Sequence, residues 1–115
     1  MIYAKFTVFN NNIDSFVLSG HANSGPLGHD LVCAASSALA IGTTNNLYRI
    51  LSKEPNVRMN EKDGGYLELF LPSNLNKKEK EQSQLLLEAL YYSLLDVESE
   101  HGKHITVSKV TNEQL

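Results

Sequence analysis

Apolar and polar positions alternate from the start of the chain. Ile2, Ala4, Phe6 and Val8 are separated by Tyr3, Lys5, Thr7 and Phe9, the period-two spacing of a strand with one buried face. Asn10-Asn11-Asn12 follows, and asparagine tolerates the left-handed backbone of a tight turn. A second apolar run, Ile13 to Ser19, completes a predicted hairpin. Gly20 to His29 then breaks the pattern. Three glycines and a proline in that span argue against a helix or a strand and predict a loop. Asp30 suits a helix N-cap. From Leu31 to about Leu51 the residues are small or apolar and include no proline. This predicts a helix in spite of the weak propensity of Gly42-Thr43-Thr44-Asn45-Asn46. The small residues there predict close packing against a sheet.

The second half repeats the theme. Val57 and Met59, then Lys62-Asp63-Gly64-Gly65, then Leu67, Leu69 and Leu71 read as two strands joined at an Asp-Gly turn. Leu86, Leu87, Leu90, Leu94 and Val97 mark one face of a helix from roughly Lys77 to Glu100. Gly102 stands where a C-terminal glycine stop is expected. Ile105 to Val110 is a last strand. The predicted class is α+β, in the order β-β-α-β-β-α-β. The expected architecture is a mostly antiparallel five-stranded sheet with two helices packed on one face. Residues 1–115 are read as a single domain. The other sheet face would carry Tyr3, Thr7 and Phe9, either as a dimer contact or as ordinary surface aromatics.

Charge narrows the partners. The net charge is −3, and the densest lysine run, Lys77-Lys78-Glu79-Lys80-Glu81, is interleaved with glutamates. It reads as a solvated helix start, so a protein or peptide is expected as partner, with no direct nucleic-acid binding. No secretion signal is legible, and no apolar run approaches the roughly 20 residues that span a bilayer. The expectation is a cytoplasmic protein that does not engage a membrane. One cysteine excludes an internal disulfide and fits a reducing compartment. His101 and His104 flank a helix end, and without paired cysteines or spaced carboxylates they make no zinc site. No metal and no cofactor are expected.

Candidate chemistry gathers where the loop meets the first helix. With Asp30 as N-cap, Cys33 falls at the third helical position, where free N–H groups and the helix dipole favour a thiolate. Asp30 opposes this, since a like charge raises a thiol's pKa. A histidine would offset it, and an imidazolium beside a thiolate is an activated nucleophile pair. His21 can reach the helix start if the loop folds back, and His29 is a second possible base. Asp30 could orient the imidazole as a third member, or serve only as a cap. Ser37, one turn beyond Cys33, could bond Asp30 or His21, or bond back to the Cys33 carbonyl. Gly20 permits a tight turn beside His21. A lone cysteine before Ala34-Ala35 also has a plainer reading, as a small buried residue.

The residues Gly20-His21-Ala22, followed by Gly28, Asp30, Val32-Cys33-Ala34-Ala35 and Ser37-Ala38-Leu39, resemble the ribosomal-processing cysteine proteases of bacteria, the Prp family. The motif covers the loop and first helix, and length and element order match over the rest. The resemblance implies an endopeptidase that removes the N-terminal extension of a large-subunit ribosomal protein, and a homodimer. It implies Cys33 and His21 as the catalytic pair, with Asp30, Ser37 and Gly20 in support. It further implies a mobile loop of Ala22, Asn23, Ser24, Gly25, Pro26, Leu27, Gly28 and His29. Ser36 departs from the β-branched apolar residue common in the family, which predicts slightly looser packing. The rival readings are a non-catalytic ribosome-associated binding module and a redox thiol, the latter disfavoured by the lack of a resolving cysteine.

Overall fold

Two asparagines with left-handed backbone, Asn10 at φ 52° and Asn11 at φ 67°, fold strand β1 (Ile2–Phe9) back onto β2 (Asn12–Ser19). Positive φ at both turn positions matches the right-handed twist of the paired strands. The computed structural model describes residues 1–20, 27–60 and 65–112, with the backbone alone at 27–30. Helix α1 (Leu27–Ile50), strands β3 (Asn56–Met59) and β4 (Tyr66–Phe70), helix α2 (Lys77–His101) and strand β5 (Ile105–Thr111) complete the chain. The sheet order is β3-β4-β2-β1-β5. Three pairings are antiparallel and β1 with β5 is parallel, so the sheet is mixed although mostly antiparallel. The parallel pair has a topological cause. β4 and β5 run the same way, and parallel strands must be joined by a crossover, which α2 supplies.

One sheet face carries the core. Ile2, Ala4, Phe6, Phe16, Leu18, Leu67, Leu69 and Ile105 form a single cluster with Val32, Ala40 and Leu47 of α1 and Leu87, Leu90 and Leu94 of α2. Both helices therefore cover the same face. The opposite face presents exposed Tyr3, Tyr66 and Phe70 around Lys5 and Glu68.

Several polar ties hold this frame that periodicity does not reveal. β2 carries an irregularity, because Thr7 pairs with Ser15 while Val8 pairs with Ile13. The Gln84 side-chain amide fills the resulting gap: it accepts from the Ile13 N–H at 2.7 Å and donates to the Ile13 carbonyl at 2.7 Å. Asn76 and Glu79 form a capping box at the start of α2. The other Glu79 oxygen accepts from the Ser52 N–H at 2.7 Å and the Ser52 hydroxyl at 2.8 Å. One carboxylate thus pins the exit of α1 to the start of α2.

Helix α1 differs from expectation at its start and in its middle. It begins at Leu27, three residues before the Asp30 predicted to cap it. A proline directly precedes that residue in the sequence, and proline's fixed φ suits a helix start. Leu27, Gly28 and His29 are therefore helical and do not extend the loop. His21, Ala22, Asn23, Ser24, Gly25 and Pro26 lie outside the described residues, as do Lys62-Asp63-Gly64 and the side chains of His29 and Asp30. In the middle, the weak stretch stays helical because Ala40, Thr44 and Leu47 are buried against the core, while Thr43 and Thr44 satisfy their hydroxyls on the Leu39 and Ala40 carbonyls at 2.8 and 2.9 Å. Close packing does not explain Gly42, since a Cβ built there meets no atom within 4 Å. At the far end, Gly102 follows α2 at φ −60°, so it ends the helix without the left-handed turn usual for glycine.

Two stability predictions follow from these details. Gly42→Ala is expected to stabilise the protein by about 0.5–1 kcal/mol, because alanine restricts the unfolded chain and meets no obstacle in the fold; a denaturant titration reads this. Glu79 is held below its ordinary value by hydrogen bonds, first from the Ser52 N–H, then from the Ser52 hydroxyl and the Asn76 N–H. A lowered folded-state value means that the ionised form favours folding. That stability is complete above the unfolded-state value and fades as pH falls through the folded one. Wild type should exceed Glu79→Gln in denaturant midpoint near neutral pH, and the gap should narrow progressively below pH 4.5.

Candidate active site

At the end of the sheet where β2 finishes and β4 begins, the chain uses two glycines. Gly20 has φ 95° and Gly65 φ 76°, and the Gly20 N–H donates to the Gly65 carbonyl at 2.9 Å. Helix α1 crosses above this junction. Cys33, Ser37 and Ile41 recur every four residues along it, so they share one stripe. That stripe walls a cleft of about 180 Å³, whose floor is Ile2, Leu18 and Leu67. Met59 and Tyr66 form the opposite side. The surroundings are mostly apolar, and the half-buried Cys33 thiol is the nucleophilic group among the described lining residues.

The two serines beside Cys33 divide their roles differently from expectation. Ser36 is fully buried, and its hydroxyl donates to the Val32 carbonyl at 2.7 Å and approaches the Cys33 carbonyl at 3.3 Å. The polar group at this position is thus satisfied within the helix. Ser37 is half-buried in the cleft wall. Among the described residues it is Ser36, and not Ser37, that takes the Cys33 carbonyl.

The earlier helix start changes the site's electrostatics. Cys33 is the seventh residue of α1. The unpaired N–H groups of a helix belong to its first four residues, here 27–30. The amide of Cys33 itself lies within the helical ladder. It is therefore not free to donate to a developing oxyanion, and the dipole's influence falls off within the first turn. Asp30 sits inside that turn and does not cap it. The histidine expected as base, His21, directly follows Gly20 in the chain but lies outside the described residues. So the structure brings Gly20, Cys33 and Ser37 to one cleft.

Sequence reading missed Ile41, Met59 and Tyr66. Ile41 carries a signal, two turns from Cys33 on the same helical stripe. Met59 and Tyr66 carry none, since only sheet pairing brings β3 and β4 to α1. Desolvation, and then the charge of Glu68 and a hydrogen bond to its carboxylate, hold the Tyr66 phenol above its ordinary value, so the hydroxyl is engaged on the sheet face away from the helices.

A free thiol on a helix, set in an apolar cleft at a sheet end, offers a nucleophile beside space for a ligand, and comparison with known proteins supplies the class. Residues 1–106 match the family described as cysteine protease Prp. The ribosomal processing cysteine protease Prp of Bacillus subtilis is 34% identical over 94 residues, covering 82% of this chain and 83% of its own. A crystal structure from Streptococcus mutans superposes with a TM-score of 0.84 at 34% identity, covering 97% of this chain and 96% of the other. The Staphylococcus aureus ribosomal processing protease Prp, solved with a covalently linked product peptide, has a TM-score of 0.79 at 29% identity and covers 95% and 99%. The chain belongs to the Prp family of cysteine proteases.

Gly20 offers a test of the cleft's construction. A side chain there would drive its Cβ into the Met1 carbonyl, at a φ that L-residues rarely adopt. Gly20→Ala should destabilise the fold by about 2 kcal/mol or more. Activity per folded molecule should fall as well, because Gly20 lines the cleft with Cys33. Thermal denaturation and active-site titration read the two separately.

Proposed function

We propose that this protein removes the N-terminal extension of a large-subunit ribosomal protein, with Cys33 as nucleophile and His21 as its general base. The observation that carries the reading is the position of Cys33: a half-buried thiol facing an apolar cleft, in a chain of the Prp cysteine protease family. The Staphylococcus aureus relative, solved with a substrate peptide and with a covalently linked product peptide, supports attack by an enzyme nucleophile on a bound peptide.

In this reaction His21 takes the thiol proton, and the Cys33 sulfur adds to the scissile carbonyl carbon. The tetrahedral intermediate collapses, the C–N bond breaks, and the imidazolium gives its proton to the leaving amine. A water activated by the same imidazole then adds to the thioester. The acid product leaves and the thiol is restored. Because the Cys33 amide is committed to its helix, the oxyanion must be met by other donors. Ser37 lines the cleft, and its hydroxyl has the right chemistry. Asp30 acts either as orienter of the imidazole or only through the helix backbone, and His29 is the competing base. The apolar walls favour an apolar substrate side chain. A cytoplasmic setting and a homodimer complete the reading, with the face of Tyr3, Tyr66 and Phe70 as the natural contact between copies.

Cys33→Ser and His21→Ala should each lower the rate of precursor cleavage by about a thousandfold or more, with the fold intact by circular dichroism. His29→Ala should change it by less than about tenfold. Cleavage that survives Cys33→Ser, measured on the extended ribosomal protein by mass spectrometry, would overturn the assignment. Precursor binding without any cleavage by wild type would favour the binding-module reading instead.

A further inference from the structure

The cleft opens at one margin of the sheet, and the strand at that margin has a free edge. Asn60 donates its N–H to the Tyr66 carbonyl at 3.2 Å, and the register from Asn56 to Met59 is continuous against β4. In an antiparallel ladder, bonding pairs alternate. Arg58 therefore bonds toward β4, while the peptide groups of Val57 and Met59 point away from the sheet. Among the described residues nothing pairs with them, because β3 is the outermost strand. The other margin differs. There Glu98 reaches over and accepts the Val107 N–H of β5 at 2.7 Å, the kind of cover that keeps an edge from pairing.

The side chains flanking the β3 edge are apolar and exposed. Met59 is 50% exposed and Ile41, across the cleft on the stripe of Cys33, is 41% exposed. An uncapped edge and solvent-facing apolar side chains are both costly to leave open, and here they adjoin the nucleophile. We infer that the substrate binds as an added strand on β3. Its backbone pairs with the outward groups of Val57 and Met59, and its alternate side chains enter the cleft between Met59 and Ile41. The proposal rests on the protease reading and specifies how the peptide is held. An extended chain gains affinity from main-chain bonds and selectivity from every second side chain in this arrangement. A strand beside β3 would lie about 4.8 Å beyond it. It would pass beside the cleft that Met59 and Cys33 both line.

Amide exchange followed by NMR tests this on a peptide spanning the cleaved junction. With Cys33→Ala, which binds without turning over, saturating peptide should slow exchange at Val57 and Met59 about tenfold or more and leave Val107 unchanged. As a second measurement, Val57→Pro removes an outward donor, a change tolerated on sheet edges. It should raise KM about five- to tenfold with kcat within about twofold, whereas Val57→Ala, which keeps the N–H, should raise it less. Normal cleavage by wild type without protection at Val57 and Met59 overturns the added strand and leaves the protease standing. Failure of wild type to cleave the peptide overturns the protease reading and this proposal with it.

Discussion

Strands β2 and β3 run in the same direction with β4 between them, and a hairpin cannot join such strands. Helix α1 must carry the chain across the sheet, and it must start where β2 ends. That constraint places the first half of α1 above the junction of Gly20 and Gly65. One side of the helix is then committed to the core through Val32, Ser36, Ala40 and Leu47. The next stripe around, Cys33, Ser37 and Ile41, is left facing the margin of the sheet. The position of Cys33 is a consequence of the crossover.

The core supplies the rigidity this requires. Phe6, Phe16, Leu69, Leu87 and Leu94 are essentially without exposure, and each such side chain contributes on the order of 1.5–3 kcal/mol when buried. Phe6 stacks on Phe16 at 5.7 Å and meets Tyr91 edge-on at 5.2 Å, which locks the sheet to α2. Where the chain leaves regular structure, single side chains take over. Gln84 completes the backbone bonds of Ile13, and Glu79 fixes the turn after α1. The sheet end at the cleft is held differently, by a backbone bond between two glycines.

Much of this was legible in the amino-acid order. Period-two alternation at Ile2 to Phe9 and at Leu67 to Leu71, and the apolar face from Leu86 to Val97, depend on local geometry alone. The motif around Cys33 pointed to the chemistry. The start of α1 was not legible, because Gly25, Pro26 and Gly28 argue for a loop, whereas the helix begins directly after that proline. The effect on the site is specific: it moves Cys33 out of the first turn and removes its own amide from the list of oxyanion donors. Polar ties such as Gln84 to Ile13 join residues 71 apart, and no local pattern announces them. Met59 and Tyr66 were missed for the same reason. The parallel pairing of β5 with β1 depends on where α2 delivers the chain, which spacing does not specify.

The central claim is that Cys33, in its apolar cleft, is the atom that attacks the peptide. A junction peptide whose scissile carbonyl carries a chloromethyl ketone tests this directly, with intact-protein and peptide mass spectrometry as the readout. The account predicts one equivalent of label, located on Cys33, at a rate suppressed by saturating unmodified peptide. Label on another residue, or labelling of Cys33 that the substrate peptide does not slow, would contradict it.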